Sequence, residues 1–489
     1  MTESDQSAAQ LSPDEKRALL KKLLQERAGT ERAVRPLSYG QRALWYLYTL
    51  DPESAAYNVA FSLSIRSAYD PDALQRAANA LIARHSSLRT TYVLVDDETV
   101  QEVAPQSVVQ VEVVQAAGLD DDQLRARVHD AYIRPFDLAN GPVLSVTLFS
   151  RTATDHVLLV VVHHIAVDGW SIGLLGGELH ELYVAETGKR PARLPAVELT
   201  YTDFVTWQQA MLNGAEGEKL RTYWARQLGG ELPVLNLPLD RARPTIQTYH
   251  GASIDLELST EIVQGIQELA RAEHVTPYTL LLAVFQVLLH RYSGQTDIVV
   301  GSPMSGRTRS EFQSVVGYFV NPVALRADLS GDPIFSEFLA QTRQRVLEGM
   351  AHQDYPFPLL VETLRVHRDP SHSPVFDVLF NLQKIERLTS VASLFIPGGK
   401  LQITLDGLII EPYFTRQEEG QFDLSLDMLE SEHAILGTIK YNTDLFDRST
   451  IERLREHYLM LLAGVVVDPG RRISDLPMMT SAERNTVLV

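Results

Sequence analysis

Val157-Leu158-Leu159-Val160-Val161-Val162 runs without a polar break, and no other stretch constrains the fold as strongly. A strand with one wet face alternates apolar and polar side chains, so an unbroken run of valine and leucine predicts a strand covered on both faces. Such a strand belongs in a core. It leads into His163-His164, and because successive side chains on an extended chain point to opposite faces, the two imidazoles are expected to differ in role. One faces packing, the other a cavity. Gly169 lets the chain turn tightly, and Asp168 stands where it can fix that turn or neutralise a cation. A pair of satisfied core histidines is the plainer alternative. The strand end, the paired histidines and the Asp-Gly together favour a functional site.

At 489 residues the chain has room for two or three domains, each with its own core. Its 62 acidic residues against 44 basic ones leave a net charge of −18, which disfavours nucleic acid or an anionic membrane as a partner. With no cysteine there is no disulfide framework, thiolate metal site or cysteine nucleophile, and a cytoplasmic setting is expected. The first seven residues lack the basic and apolar regions of a signal peptide. The densest apolar segment, 280–289, is interrupted by Gln286 and is too short to cross a bilayer, so no membrane span is expected.

Ser12-Pro13-Asp14-Glu15 reads as a capping box, with Leu19, Leu20, Leu23 and Leu24 forming one apolar face before Gly29. This predicts a short helix within 1–30, a linker or docking element. Helical spacing over 37–47 ends at Asp51-Pro52, 59–65 alternates as a strand, and Asp70-Pro71 opens a helix through Ile82. Strands at 92–95 and 143–149 follow, then a helix over 171–187 and a linker marked by Gly188, Pro191 and Pro195. In the second half 277–292 reads as an apolar helix and 297–301 as a short buried strand. Asp332-Pro333 is expected to cap a helix over 334–350, and 376–382 and 420–428 read as strands. The order predicts a mixed α/β (α+β) chain of two lobes, 36–190 and 200–470, with a cleft between them.

Histidine-based acyl transfer needs a ring nitrogen in reach of the nucleophile, a bound acyl donor and donors for the developing oxyanion. His164 can supply the first. No Gly-x-Ser-x-Gly elbow supports a serine-hydrolase triad. A metal site from His163, His164 and Asp168 fits by residue type, but neighbours on opposite strand faces rarely bind one ion, so no metal is expected.

His163-His164-Ile165-Ala166-Val167-Asp168-Gly169 resembles the H-H-x-x-x-D-G signature of the chloramphenicol-acetyltransferase-like superfamily, and with Trp170-Ser171 it resembles nonribosomal peptide synthetase condensation domains. Further stretches resemble family motifs in order: 38–47, 84–92, 201–207, 316–321, 352–357 and Arg368-Asp369-Pro370-Ser371. The resemblance implies a V-shaped pseudo-dimer of two acetyltransferase-like lobes with a central tunnel. Donor and acceptor peptidyl carrier proteins would load it from opposite faces through phosphopantetheine arms, or acyl-CoA would serve as donor, and no cofactor would be bound directly. The acceptor amine would attack the donor thioester to form an amide. In that picture the catalytic positions are His164, His163, Asp168 and Gly169. His164 orients the amine or takes its proton, and His163 holds the strand end. Asp168 pairs with Arg307 of the other lobe, and the Gly169 backbone lies beside the thioester. Trp45, Trp207, Tyr355 and Asn321 are expected to pack or brace.

Epimerization domains resemble this signature but tend to follow Asp-Gly with Val-Ser-Trp-Arg, where this chain has Trp170-Ser171-Ile172. Cyclization domains carry an aspartate motif instead of the double histidine. If Met1 is the natural start the donor arrives in trans, which suits a starter domain with a fatty-acyl donor as well as an ordinary one. Residues 471–489 resemble the linker towards an adenylation domain. A non-catalytic carrier-binding or recruiting module of the same fold, and a metal-dependent hydrolase, are the competing classes.

Overall fold

The computed structural model describes residues 33–366, 369–384, 402–413, 415, 417–431, 434–480, 483 and 485. The expected helix within 12–29 and Arg368 lie outside the described residues. The apolar run lies in the strand Asp155–His163, and its two faces bury against different partners. Leu158, Val160 and Val162 pack with Leu74, Leu81, Leu175 and Leu179 of the helices Pro71–Arg84 and Gly169–Glu186. Val157, Leu159 and Val161 point the other way, onto Leu124, Val128 and Tyr132 of the helix Asp121–Tyr132. Alternation along one strand therefore feeds two separate apolar clusters, which is why no polar residue interrupts it. Each such side chain contributes about 1.5–3 kcal/mol on burial.

Numbered along the chain, the first seven strands are β1 (Ala33–Pro36), β2 (Asn58–Ile65), β3 (Thr90–Val95), β4 (Glu98–Val103), β5 (Val111–Gln115), β6 (Leu144–Thr152) and β7 (Asp155–His163). The rest are β8 (Gly251–Glu257), β9 (Asp297–Met304), β10 (Asn321–Asp328), β11 (Val378–Lys384), β12 (Ile403–Leu405), β13 (Leu408–Pro412), β14 (Leu424–Glu430) and β15 (Ile435–Asn442). They form two six-stranded sheets, β12-β13-β2-β7-β6-β5 and β10-β9-β11-β14-β15-β8, and a small sheet β1-β4-β3. In the first, β7 lies between antiparallel β2 and β6, with Asn58 opposite His163, and β5 joins β6 in parallel. In the second, β11 runs parallel to both β9 and β14. Behind that sheet the helix Pro277–Ser293 is buried from Thr279 to Leu289. Thr276 caps its start and Gly294, at φ +70°, ends it. No single helix among the described residues is long and apolar enough to cross a membrane.

The lobes expected at 36–190 and 200–470 are crossed by the chain. β13 pairs with β2, Ile410 opposite Ile65, so residues from the second half complete the first sheet. Without them β2 would present an unpaired edge. Asp406-Gly407, both at positive φ, turn the hairpin. The Asp406 carboxylate is gripped by Arg190 at 2.8 Å and His180 at 3.0 Å, and the Arg190 contact foremost holds its pKa down at about 2.

Two local expectations are corrected. The helix Phe335–Ala351 is preceded by Ile334 without a side-chain cap, because Asp332 sits at φ +52° and turns its carboxylate to the Ser474 N–H and Oγ, at 3.0 and 2.8 Å. The strand expected over 420–428 begins only at Leu424. The residues before it span the lobes instead, with Gln421 Nε2 donating to the Ala56 carbonyl at 2.9 Å.

Candidate functional site

His163 and His164 part at the end of β7. The chain leaves the strand in a single 3-10 turn, His164–Ala166, and then enters the helix Gly169–Glu186, two residues earlier than expected because Asp168 caps it. His163 is buried between Tyr48 and Phe136, and its Nδ1 accepts the Ile165 N–H at 3.1 Å. Accepting at Nδ1 leaves the ring neutral with its proton on Nε2. Burial foremost, and His164 beside it, push its pKa down to about 3.

His164 has the opposite tautomer. Its Nδ1 lies 2.7 Å from the Val167 carbonyl, and since a carbonyl can only accept, the proton is on Nδ1 and Nε2 carries a free lone pair. The ring is half-buried, rests edge-on against Tyr318 at 5.0 Å and lines a cavity of about 3060 Å³ walled by both lobes. Burial lowers its pKa from the usual histidine value, with the Val167 carbonyl and Asp168 acting the other way. At neutral pH Nε2 is therefore unprotonated.

Asp168 and Arg307 meet across the lobes. Arg307 Nη2 lies 3.1 and 3.2 Å from the two carboxylate oxygens, which also accept the Ser171 N–H at 2.7 Å and the Phe319 N–H at 3.1 Å. Arg307 Nη1 donates to the Phe312 and Val315 carbonyls at 2.6 and 2.7 Å, and the guanidinium stacks 3.9 Å from the Phe319 ring centre. Burial foremost lowers its pKa, against the pull of Asp168. Ser171 Oγ closes the knot: it donates to the Gly317 carbonyl and accepts from Gly317 N–H and Arg307. Both oxygens of Asp168 are engaged in this knot, and His163 is not among the cavity-lining residues. These two and His164 therefore do not converge on a common point where one metal ion could sit.

Gly169 begins the helix at the cavity wall, where backbone N–H groups have no helical partner and the helix dipole is positive. A Cβ built there meets nothing within 4 Å, so the fold does not demand glycine. The space is cavity. Gly169→Ala is expected to melt like the parent and yet slow any reaction whose substrate lies against this backbone by up to about a hundredfold, roughly the cost of a reacting group misplaced by about 1 Å. Thermal denaturation beside turnover rates checks this, and a variant as active as the parent would count against such proximity.

The other expected positions brace. Trp45 packs on Tyr48 and Tyr92, and Trp207 on Phe204 and Phe312. Asn321 Nδ2 donates to the Gln353 and Tyr355 carbonyls while its Oδ1 accepts the Phe357 N–H, each at 2.8 Å. Tyr355 is buried, its hydroxyl 2.9 Å from Thr363 Oγ1. Sequence reasoning gave Ser171 only a helix start and a place in the motif, not the buried hydroxyl that joins the lobes, and it assigned no part to Tyr57, whose carbonyl accepts the His164 N–H at 2.8 Å. Only the polar character of Ser171 inside an apolar helix hinted at its part.

Two lobes built on mixed sheets, with a histidine-bearing loop facing the cavity between them, define the chloramphenicol-acetyltransferase-like class. The family model described as "Condensation domain" matches residues 31–488, and the chain belongs to that family, the condensation domains of nonribosomal peptide synthetases. It is 38% identical over 459 residues to a linear gramicidin synthase subunit of Brevibacillus parabrevis, covering 93% of this chain and 6% of that protein. Chondramide synthase cmdD of Chondromyces crocatus is 37% identical, with 93% and 11% covered. Among the first curated relatives the chain spans only 6 to 12% of their length. A four-domain nonribosomal peptide synthetase, holo-AB3403 bound to AMP and glycine, superposes with a TM-score of 0.84 at 25% identity, over 92% of this chain and 34% of that one. The X-domain from teicoplanin biosynthesis gives 0.82 at 28% identity, over 91% and 97%.

Proposed function

We propose that this chain forms an amide between an acyl or peptidyl thioester, held on a carrier protein or on CoA, and the amine of an aminoacyl group on a second carrier. The observation that carries this reading is the free lone pair of His164 Nε2 on a cavity shared by the two lobes. The amine nitrogen attacks the thioester carbon, and the carbonyl electron pair moves to oxygen. Backbone N–H groups at the start of the Gly169–Glu186 helix face the oxyanion that forms. His164 Nε2 takes the proton from the attacking nitrogen. The carbonyl re-forms as the C–S bond breaks, and the departing sulfur receives that proton. No ion enters this scheme. His163 and the Asp168–Arg307 pair act on it only by holding the loop in place.

The phosphopantetheine arms belong to the partner carriers, and an adenylation domain following the chain is part of the same reading, supported by the tail 471–489 and by the likeness to a four-domain synthetase. The test is mass-spectrometric detection of the amide, with an acyl-loaded donor carrier or acyl-CoA and an aminoacyl-loaded acceptor carrier. Product is expected. The likeness to an X-domain, one structure of which is a complex with OxyB, supports a second reading as a recruiting module. No product from any donor while the carriers still bind would favour that alternative.

A further inference from the structure

A second histidine opens onto the same cavity, away from the β7 loop. His372 Nδ1 lies 2.7 Å from Asp377 Oδ2, and Asp377 Oδ1 accepts the Ser373 N–H at 2.9 Å. With Nδ1 donating to a carboxylate, Nε2 is the ring atom left to face the cavity, and in the neutral ring it holds the lone pair. Both residues line the cavity, 20% of the His372 side chain is exposed, and Nε2 has no hydrogen-bond partner among the described residues.

The charged groups around this ring come from several elements. Asp377 stands just before β11, and Asp423 just before β14. Arg243 comes from the loop ahead of β8, and Asp369 from the loop of His372 itself. Arg243 grips both oxygens of Asp423 and donates to the Ser371 carbonyl at 3.1 Å. Three carboxylates thus face one guanidinium, and the surplus negative charge suits a cation. The ligand atoms of His372, Asp377 and Asp423 lie within 4.8 Å of one another, a spacing that metal ligands also show. Here the Arg243 guanidinium already neutralises Asp423, and the Nδ1 proton fills the gap between His372 and Asp377.

We propose that the His372–Asp377 dyad is a second proton-accepting station in this cavity, which receives the acceptor in its ammonium form and takes its proton before the amine meets the thioester. The inference rests on the amide-forming reading above. One N–H bond of the ammonium breaks, its electron pair stays on nitrogen, and the proton joins His372 Nε2. The imidazolium, paired with Asp377, then passes that proton to water. His164 handles a different proton, the one released after attack. Burial foremost, and Asp423, raise the Asp377 carboxyl, so a new positive charge on His372 meets a carboxylate short of compensation.

The dyad matters only where the free amine is scarce. An α-amino group titrates near about 8, so a few per cent is neutral at about pH 6.5 and most of it at about pH 9. His372→Gln keeps a donor for Asp377 but cannot accept a proton. With the full chain, a fixed acyl donor and an aminoacyl-loaded acceptor carrier, the expected kcat/KM is about tenfold below the parent at the lower pH and within about twofold at the higher one. Asp377→Asn, which weakens the base without removing it, gives the same pattern with a smaller loss. Equal losses at both pH values, or none at either, would overturn the proposal. If the parent forms product and His164→Ala slows it by about a hundredfold or more, a flat His372→Gln profile condemns this proposal alone; a parent without product at any pH removes both readings.

Discussion

Replacing His164 with alanine is expected to lower amide formation by about 10²–10⁴-fold, the usual worth of a positioned general base. The melting temperature should stay close to that of the parent. The ring is half-buried and its one hydrogen bond runs to the Val167 carbonyl at 2.7 Å, an interaction worth about 1 kcal/mol net. Its removal widens the cavity at that point but leaves the helix start and the Asp168 knot untouched. What remains is positioning alone, so residual turnover is expected.

His163→Ala makes the contrast. That ring is 4% exposed and accepts a backbone N–H, so its loss opens a void and orphans the Ile165 amide, at a cost of about 2–4 kcal/mol. The pH dependence has a definite sign. The unfolded chain protonates this histidine below about pH 6.5, whereas the folded ring, pushed down to about 3, stays neutral. Stability is therefore lost as the pH falls from 6.5 towards 3. Initial rates by mass spectrometry, beside melts of the same samples, separate the two histidines. A His164→Ala rate within tenfold of the parent would remove it as proton acceptor.

Sequence reasoning worked where the cause of structure is local. The apolar run could satisfy no strand other than one covered twice, and the double histidine splits as expected, although the cause is that β7 ends at His163 while His164 opens a 3-10 turn. Asp70-Pro71 and Thr276-Pro277 carry their helix starts in their own side chains, as N-caps followed by proline. It failed where the partner is distant in the chain. Asp332 has every local mark of a cap, yet a serine 142 positions later takes its carboxylate. β12 and β13 cross to the first sheet because β2 needs a neighbour, and nothing within 403–412 names which edge they will meet. The site divides in the same way. The motif brings His164, Asp168 and Gly169 together, but the tautomer of each histidine follows from where a backbone N–H and a carbonyl happen to lie. His372 carried no sequence signal and Asp377 fell within 376–382, read as a strand; only the fold brings the pair together on the cavity.

The second large effect falls on the knot between the lobes. Arg307→Met is expected to cost about 3–5 kcal/mol, because it strands the Asp168 carboxylate where water cannot reach it. The side chains of Arg307 and Asp168 are 3% and 4% exposed, so neither charge has solvent to fall back on. Asp168→Asn leaves the guanidinium unpaired and is expected to cost a similar amount. The double variant, Asp168→Asn with Arg307→Met, should recover a good part of the loss, since a buried pair replaced on both sides no longer carries an uncompensated charge. Activity follows stability here for a structural reason. Asp168 caps the helix that Gly169 begins, and the Val167 carbonyl that fixes the His164 tautomer is one residue before it. Loosening the knot therefore lets the imidazole turn. Denaturant melts of the two single variants and the double give the coupling directly, and an Arg307→Met protein as stable as the parent would show that the lobes are held by apolar contact rather than by this pair. The cluster of Tyr201, Phe204, Phe312 and Phe319 beside it is the candidate for that role, and the coupling energy decides between them.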